Sequence, residues 1–433
     1  MDAKPTNFER IGIHYFADPE HYHRSDLERW LPRLQKLGVQ WIVLQAPGDR
    51  AIPEEFITAL IHAGIQPILH FMLPLEKPET ELDLTPLLSA YANWGVRHVA
   101  FFDRPNLRSM WPGTGWTQRG LVERFLDLFE PLANSARKVG LTPVFPPLEP
   151  GGDYWDTAFL RASLETLDER GEGALIESMA LGAYAWTEDK SLNWGVGGPE
   201  RWPATLPYHT PENSEDQRGF RIFDWYNAVT KAAIGKELPI LIIAAGVHRE
   251  NKPLRDARPD VRAVKIAEAM QKKISEDFDN DVPANVLACN LWLLAAETAP
   301  EAVKNKLTWF EITGKPTKIA EKWFEWRGMG TPNRNDKSVE SSGAPIEAEA
   351  ETLFVPSGSH SIRHYLLVPS AAELFNDNIK LFVVEHQPTI GYSVEEAIHA
   401  ARVTLAGGLQ SFSDELIRNL ISAGCQVDSL PNY

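Results

Sequence analysis

Through roughly the first three hundred residues the chain repeats one cadence: a short apolar run, a polar loop, then a stretch with apolar residues at helical spacing. The apolar runs predict strands at IGIHYF (11–16), WIVLQA (41–46), PILHFM (67–72), HVAFFD (98–103), LTPVFP (141–146), the second half of ALIESMALGAY (174–184), PILIIAAG (239–246) and NVLACNLWLL (285–294). Between them lie amphipathic segments such as DLERWLPRLQKLG, PEEFITALIHAG, LVERFLDLFEPLANSARKVG, RIFDWYNAVTKAAIG and VRAVKIAEAMQKKI. Their apolar positions recur every three to four residues, as one buried helix face requires. Gly38, Gly64, Gly140 and Gly235 stand where such helices must stop and turn left-handed. Strands that are nearly all apolar and alternate with helices imply a parallel sheet covered on both faces. Eight such units fit a closed (β/α)8 barrel, a TIM barrel, over residues 8–326, and no G-x-G-x-x-G follows the first strand to favour a dinucleotide-binding sheet.

After WFEWRG the pattern changes. Residues 327–362 are rich in Gly, Ser, Pro and charge and read as a linker, with one short strand at TLFV. From 363 to 433 structure returns in HYLLVP, IKLFVVEH, SVEEAIHAA, RVTLAGG, SDELIRNLISAG and CQVDSL, an alternation expected of a small three-layer α/β module.

Barrel enzymes build their sites from the loops at the carboxyl ends of the strands. That position selects His14, Gln45, His70, Asp103, Arg104, Asn106, Glu149, Tyr184, Trp186, Ala244, His248 and Trp292. The long segment 187–219, carrying Trp194, Trp202, Tyr208 and His209, reads as a lid or wall above them.

Three of these places carry a resemblance. AFFDRPNLRSMWPG resembles the fourth-strand motif of clan A glycoside hydrolases, where Asn-Glu-Pro closes the strand. LPILIIAAGVH resembles that clan's seventh-strand motif, an apolar run reaching a Glu two residues before a Gly, and NVLACNLWLLA places a Trp at the mouth as those enzymes do beneath the sugar. The resemblance spans roughly residues 8–326. It implies a sugar-binding mouth, yet the proton donor's place holds Arg104 and the nucleophile's place holds Ala244. A retaining glycosidase needs two carboxyl groups about 5 Å apart. Arginine cannot give up its proton at a working pH, and a methyl group cannot attack. The expectation is therefore a glycoside-hydrolase-like protein that binds carbohydrate, acidic sugars included, without retaining chemistry. His14, His70, Arg104, Asn106, Tyr184, Trp186 and Trp292 would touch the ligand. Asp103 and Glu149 remain an alternative inverting pair if activity persists, against a plainer reading in which Asp103 pairs with Arg104 and Glu149 caps amides near Gly151 and Gly152. A second alternative makes the C-terminal module an interaction device. Its RVTLAGGLQSFSDELIRNLISAGCQVDSL resembles one unit of cell-wall-binding repeats.

Composition narrows the rest. A formal charge of −16 argues against nucleic acid, whose binding needs clustered Lys and Arg. Cys289 and Cys425 are too few and too far apart for a disulfide framework or a thiolate zinc site. His14, His70 and His248 prompt a metal check, but the first strand has one His, and His21 and His23 in PEHYHRSD read as a solvated loop. Neither metal nor cofactor is expected. The start, MDAKPTNFER, shows no secretory signal and no run reaches the length of a membrane span, so a cytoplasmic place is expected, although a cell-wall-binding tail would call for export.

Overall fold

A computed structural model describes residues 8–76, 84–247, 258–271, 282–297, 307–329, 362–368 and, with short gaps, 379–430. It divides into two compact units, Met1–Trp323 and Phe324–Tyr433. The expected strand at TLFV and most of the expected linker lie outside the described residues.

The first unit is a closed barrel of eight parallel strands in chain order: β1 (Phe8–His14), β2 (Val39–Ala46), β3 (Gln66–Phe71), β4 (His98–Phe101), β5 (Thr142–Phe145), β6 (Ala180–Trp186), β7 (Ile240–Gly246) and β8 (Val286–Leu291). β8 closes on β1 with Ile11 opposite Cys289 and Ile13 opposite Leu291. Each predicted strand is present. In the sixth window the first half is a short helix (Gly173–Ser178) and the strand starts at Ala180.

Helices cover the barrel as their patterns demand. In α1 (Arg24–Leu37) the residues Leu27, Trp30, Leu34 and Leu37 are buried, one stripe at three- and four-residue steps. In α4 (Leu121–Lys138) Val122, Phe125, Phe129, Ala133 and Ala136 do the same, and Phe125 meets Phe145 and Phe159 at ring-centroid distances of 5.7 and 5.5 Å. Gly38, Gly64, Gly140 and Gly235 all have φ between 72° and 88°, the left-handed turn expected of them. Cys289 and Cys425 are free and buried. His21 departs from expectation: it is not solvated but stacks on Phe16 with centroids 3.9 Å apart, while His23 caps α1.

Inside the barrel Val43, Ile68, Ala100, Val144, Leu241, Ile243 and Ala288 form a packed apolar core, not a pore. Asn290 intrudes among them, and Gly12 makes room for it. A Cβ at Gly12 would collide with Asn290 Oδ1 and stand 2.6 Å from Trp41 Cβ and 2.7 Å from Trp41 O.

The second unit is a four-stranded parallel sheet in the order β10 (Thr389–Gly391), β9 (Ile362–Leu367), β11 (Ala400–Ala406), β12 (Gln426–Leu430). Tyr365, Leu367, Val403 and Leu405 pack on one face, Leu366, Val368, Ile390 and Ala406 on the other, which makes an α/β module with both faces covered. β10 falls in PTIGY, outside the segments singled out from the sequence, because a strand of three residues carries no readable period. No helix among the described residues is long and apolar enough to cross a membrane.

Gly12→Ala should lower stability by about 3 kcal/mol, because its neighbours are a buried side chain and backbone that cannot swing aside. Urea denaturation against the parent chain measures this; a loss below half a kcal/mol would show that the interior yields there.

Candidate binding site at the barrel mouth

The site begins where β4 ends. Phe102 and Arg104 have φ of 66° and 42°, left-handed values that bulky residues seldom adopt. Three hydrogen bonds impose them. Phe102 N donates to Phe71 O at 2.8 Å, Arg104 N donates to Pro147 O at 3.0 Å, and His70 Nε2 meets Phe102 O at 2.7 Å. Since a carbonyl only accepts, His70 carries its proton on Nε2.

This twisted backbone holds Asp103, which is 2% exposed. Its Oδ2 accepts from Arg104 Nε at 2.7 Å and its Oδ1 from the Tyr184 hydroxyl at 2.7 Å. The same guanidinium reaches Glu149, with Nη1 3.7 Å from Oε2. One arginine thus bridges two carboxylates. Burial works to lower the Arg104 pKa, but Asp103, Tyr184 and Glu149 outweigh it and the net direction is upward. Burial and then Asp103 push Tyr184 well above its ordinary value, so its hydroxyl stays a donor.

Opposite lies an aromatic wall. Tyr184 and Trp186 stack with centroids 5.2 Å apart, Trp186 meets Trp292 edge-on at 5.8 Å, and Trp292 meets His14 at 4.6 Å. The peptide between Trp292 and Leu293 is cis. His14 and His70 are 2% and 1% exposed. Burial, then the neighbouring His70, pushes His14 down to about 3. Burial also lowers His70, although Asp103 and the bond to Phe102 oppose it. Both rings are neutral at neutral pH. His14 Nδ1 is buried with no hydrogen-bond partner among the described residues.

His14, His70, Asp103, Arg104, Glu149, Tyr184, Trp186 and Trp292 therefore meet at one mouth, and the pairing of Asp103 with Arg104 is as the plainer sequence reading has it. Asn106 does not join them. It is fully buried, donates from Nδ2 to Glu149 O and Tyr154 O at 2.9 Å each, and accepts from Glu149 N at 2.9 Å. It braces the loop after β4 to the loop after β5 and leaves nothing for a ligand. Nor does the Glu149 carboxylate cap Gly151: that amide donates to Asp156 at 2.9 Å. Ala244 lies fully buried in the apolar cluster with Tyr184 and Trp186. His248 lies outside the described residues.

Two acids that sequence reasoning missed hold the surrounding wall. Asp156, at the start of α5 (Asp156–Glu169), is fully buried and accepts from Gly151 N, from Gln217 Nε2 at 2.5 Å and from the Tyr226 hydroxyl at 3.4 Å. Burial pushes it up to about 6 in spite of those donors. Asp216, also fully buried, accepts from Trp194 Nε1 at 3.0 Å, Thr210 Oγ1 at 2.9 Å and Arg218 N at 3.0 Å, and pairs with the Arg218 guanidinium. Burial opposes its ionisation, but Arg218, Trp194 and Lys190 prevail and its pKa falls. In sequence Asp156 looks like any first-turn acid and Asp216 like one charge in a polar loop; their partners are distant and carry no local signal.

No protein-family profile matches the chain, and no curated protein matches it in sequence. Solved structures resemble its chain course. A GH128 (subgroup II) endo-β-1,3-glucanase from Sorangium cellulosum is 12% identical with a TM-score of 0.42, over 75% of this chain and 99% of its own. A glucosidase from Croceicoccus marinus is 11% identical, TM-score 0.45, over 73% and 65% respectively. Xylanase 10B from Thermotoga petrophila is 11% identical, TM-score 0.42, over 74% and 94%.

Two outcomes follow from the buried charges. Arg104→Met strands Asp103 and should cost about 3 kcal/mol, most of it recovered when Asp103→Asn is added; a urea-denaturation cycle that shows simple additivity would refute the pairing. For Asp156, the folded chain keeps between about pH 4 and 6 a proton that the unfolded chain has released. Stability attributable to this group falls as pH rises through that window and is level above it. Asp156→Asn should flatten that slope and raise stability above pH 7 by up to about 3 kcal/mol, read from melting curves across the window.

Proposed function

We propose that the barrel mouth binds carbohydrate and does not cut it. What supports this above all is the position of Arg104, a permanent cation between Asp103 and Glu149, the two carboxylates that meet at the mouth among the described residues. An inverting hydrolase needs a water held between its acid and its base across about 6.5 to 9.5 Å. Here the interval between Asp103 and Glu149 is bridged by a guanidinium that is ion-paired to both. A retaining mechanism would need a nucleophile on β7, where Ala244 offers a methyl group packed against rings.

Binding is favoured by what remains. Trp292 is half-buried, with Trp186 and Tyr184 buried beside it, and these are apolar rings of the kind that pack against the C–H face of a pyranose. His14 and His70 are neutral and suit hydroxyl groups rather than charges. Arg104 already shares itself between Asp103 and Glu149, so a sugar carboxylate would be a third acid on one cation. The ligand favoured by this charge balance is an uncharged oligosaccharide, not an acidic one.

Calorimetric titration of the intact chain with neutral gluco-, xylo- and manno-oligosaccharides should show binding without release of reducing ends. Trp292→Ala should weaken it roughly tenfold, the loss of one stacked ring. Turnover of any glycoside that disappears in Asp103→Asn or Glu149→Gln would replace this reading with that of a working hydrolase, and a failure to bind any glycan would leave the C-terminal module as the functional part.

A further inference from the structure

Outside the mouth floor, one aromatic ring is both exposed and held in place. Tyr208 sits at the tip of the 187–219 segment and is 63% exposed. It occupies the turn Leu206-Pro207-Tyr208-His209, closed by Leu206 N to His209 O and His209 N to Leu206 O, each 3.0 Å. In the type II form of a turn with Pro at the second place, the third place has φ above zero and normally takes Gly or Asn. Tyr208 stands there with φ 63°. A tyrosine in that backbone is strained, and it persists only where its surroundings hold it.

Those surroundings are visible. The Tyr208 hydroxyl accepts from Trp155 N at 2.9 Å and donates to Asp153 O at 3.2 Å, and the ring leans on Trp155 with centroids 5.3 Å apart at 57°. Arg218 covers Trp155 in turn, 5.4 Å from that ring. Fixing the hydroxyl fixes the plane of the ring while most of its surface stays in water. A purely structural hydroxyl donor would not require so large an exposed ring.

The place of this ring matters. Asp153 and Trp155 belong to the same loop after β5 that carries Glu149, and Asp153 lies four residues further along, at most about 14 Å of extended chain. Tyr208 is thus tied to the loop that carries Glu149, at the carboxyl end of β5. We infer that Tyr208 is an outer stacking subsite for an uncharged oligosaccharide whose inner end lies against Trp186 and Trp292. This rests on the carbohydrate reading above and adds to it a minimum ligand length: a disaccharide fills the inner mouth, and a longer chain also covers Tyr208. Trp155, nearly buried, supports the ring and does not itself bind.

The test is calorimetric titration of the full chain with disaccharides and hexasaccharides of the cello, xylo and manno series. The intact protein should bind one hexasaccharide more tightly than its disaccharide. Tyr208→Ala should weaken the hexasaccharide by roughly fivefold to tenfold and leave the disaccharide unchanged. Tyr208→Phe keeps the ring and loses its two hydroxyl bonds, so it should retain most of the hexasaccharide affinity while melting at a lower temperature. Loss of affinity for both probes alike, or Tyr208→Ala leaving the hexasaccharide unaffected, overturns the subsite. Hexasaccharide binding no tighter than disaccharide binding removes the outer subsite alone, whereas no binding of either probe removes the carbohydrate reading with it.

Discussion

Adjacent residues on a strand point to opposite faces, so Asp103 and Arg104 could not share one hollow if β4 simply continued. The left-handed backbone at Phe102 and Arg104 is what brings both side chains to the same side. Arg104 also precedes Pro105, a context that ordinarily drives a residue to extended conformations. The conformation is therefore maintained from outside, by β3 through Phe71 and His70 and by the β5 loop through Pro147. The paired charges and the Tyr184 hydroxyl bond follow from that one twist.

The mouth consequently has two unlike halves. Around β1 and β8 it is neutral and aromatic, made of His14 and Trp292 above a core in which Gly12 yields space to Asn290. Around β4 and β5 it is ionic, made of Asp103, Arg104 and Glu149. Tyr184 and Trp186 on β6 form the seam, since Tyr184 donates to the ionic half and stacks with the aromatic one. A ligand with one apolar face and one hydroxyl-bearing edge matches such a division, which is the physical content of the carbohydrate reading.

Much of this is legible in the sequence alone. Strand runs and helix stripes are local patterns, so the barrel, its strand order and the left-handed glycines could be read directly, and position at strand ends located most of the mouth. What could not be read depends on contacts distant in sequence. Asn106 stands at a strand end like its neighbours, yet its amide is wholly engaged by Glu149 and Tyr154, some forty or more residues away. Asp156 and Asp216 are unremarkable letters until Gln217, Tyr226, Trp194 and Thr210 converge on them. Burial of a charge is a tertiary property, and the sequence displays only its sign.

Asp216 ties together Trp194, Thr210 and Arg218, and so fastens a segment of more than thirty residues that has little regular structure of its own. Because that fastening is a buried charge, severing it would leave a carboxylate stranded away from water and free the whole stretch at once, not merely slacken a single turn of it.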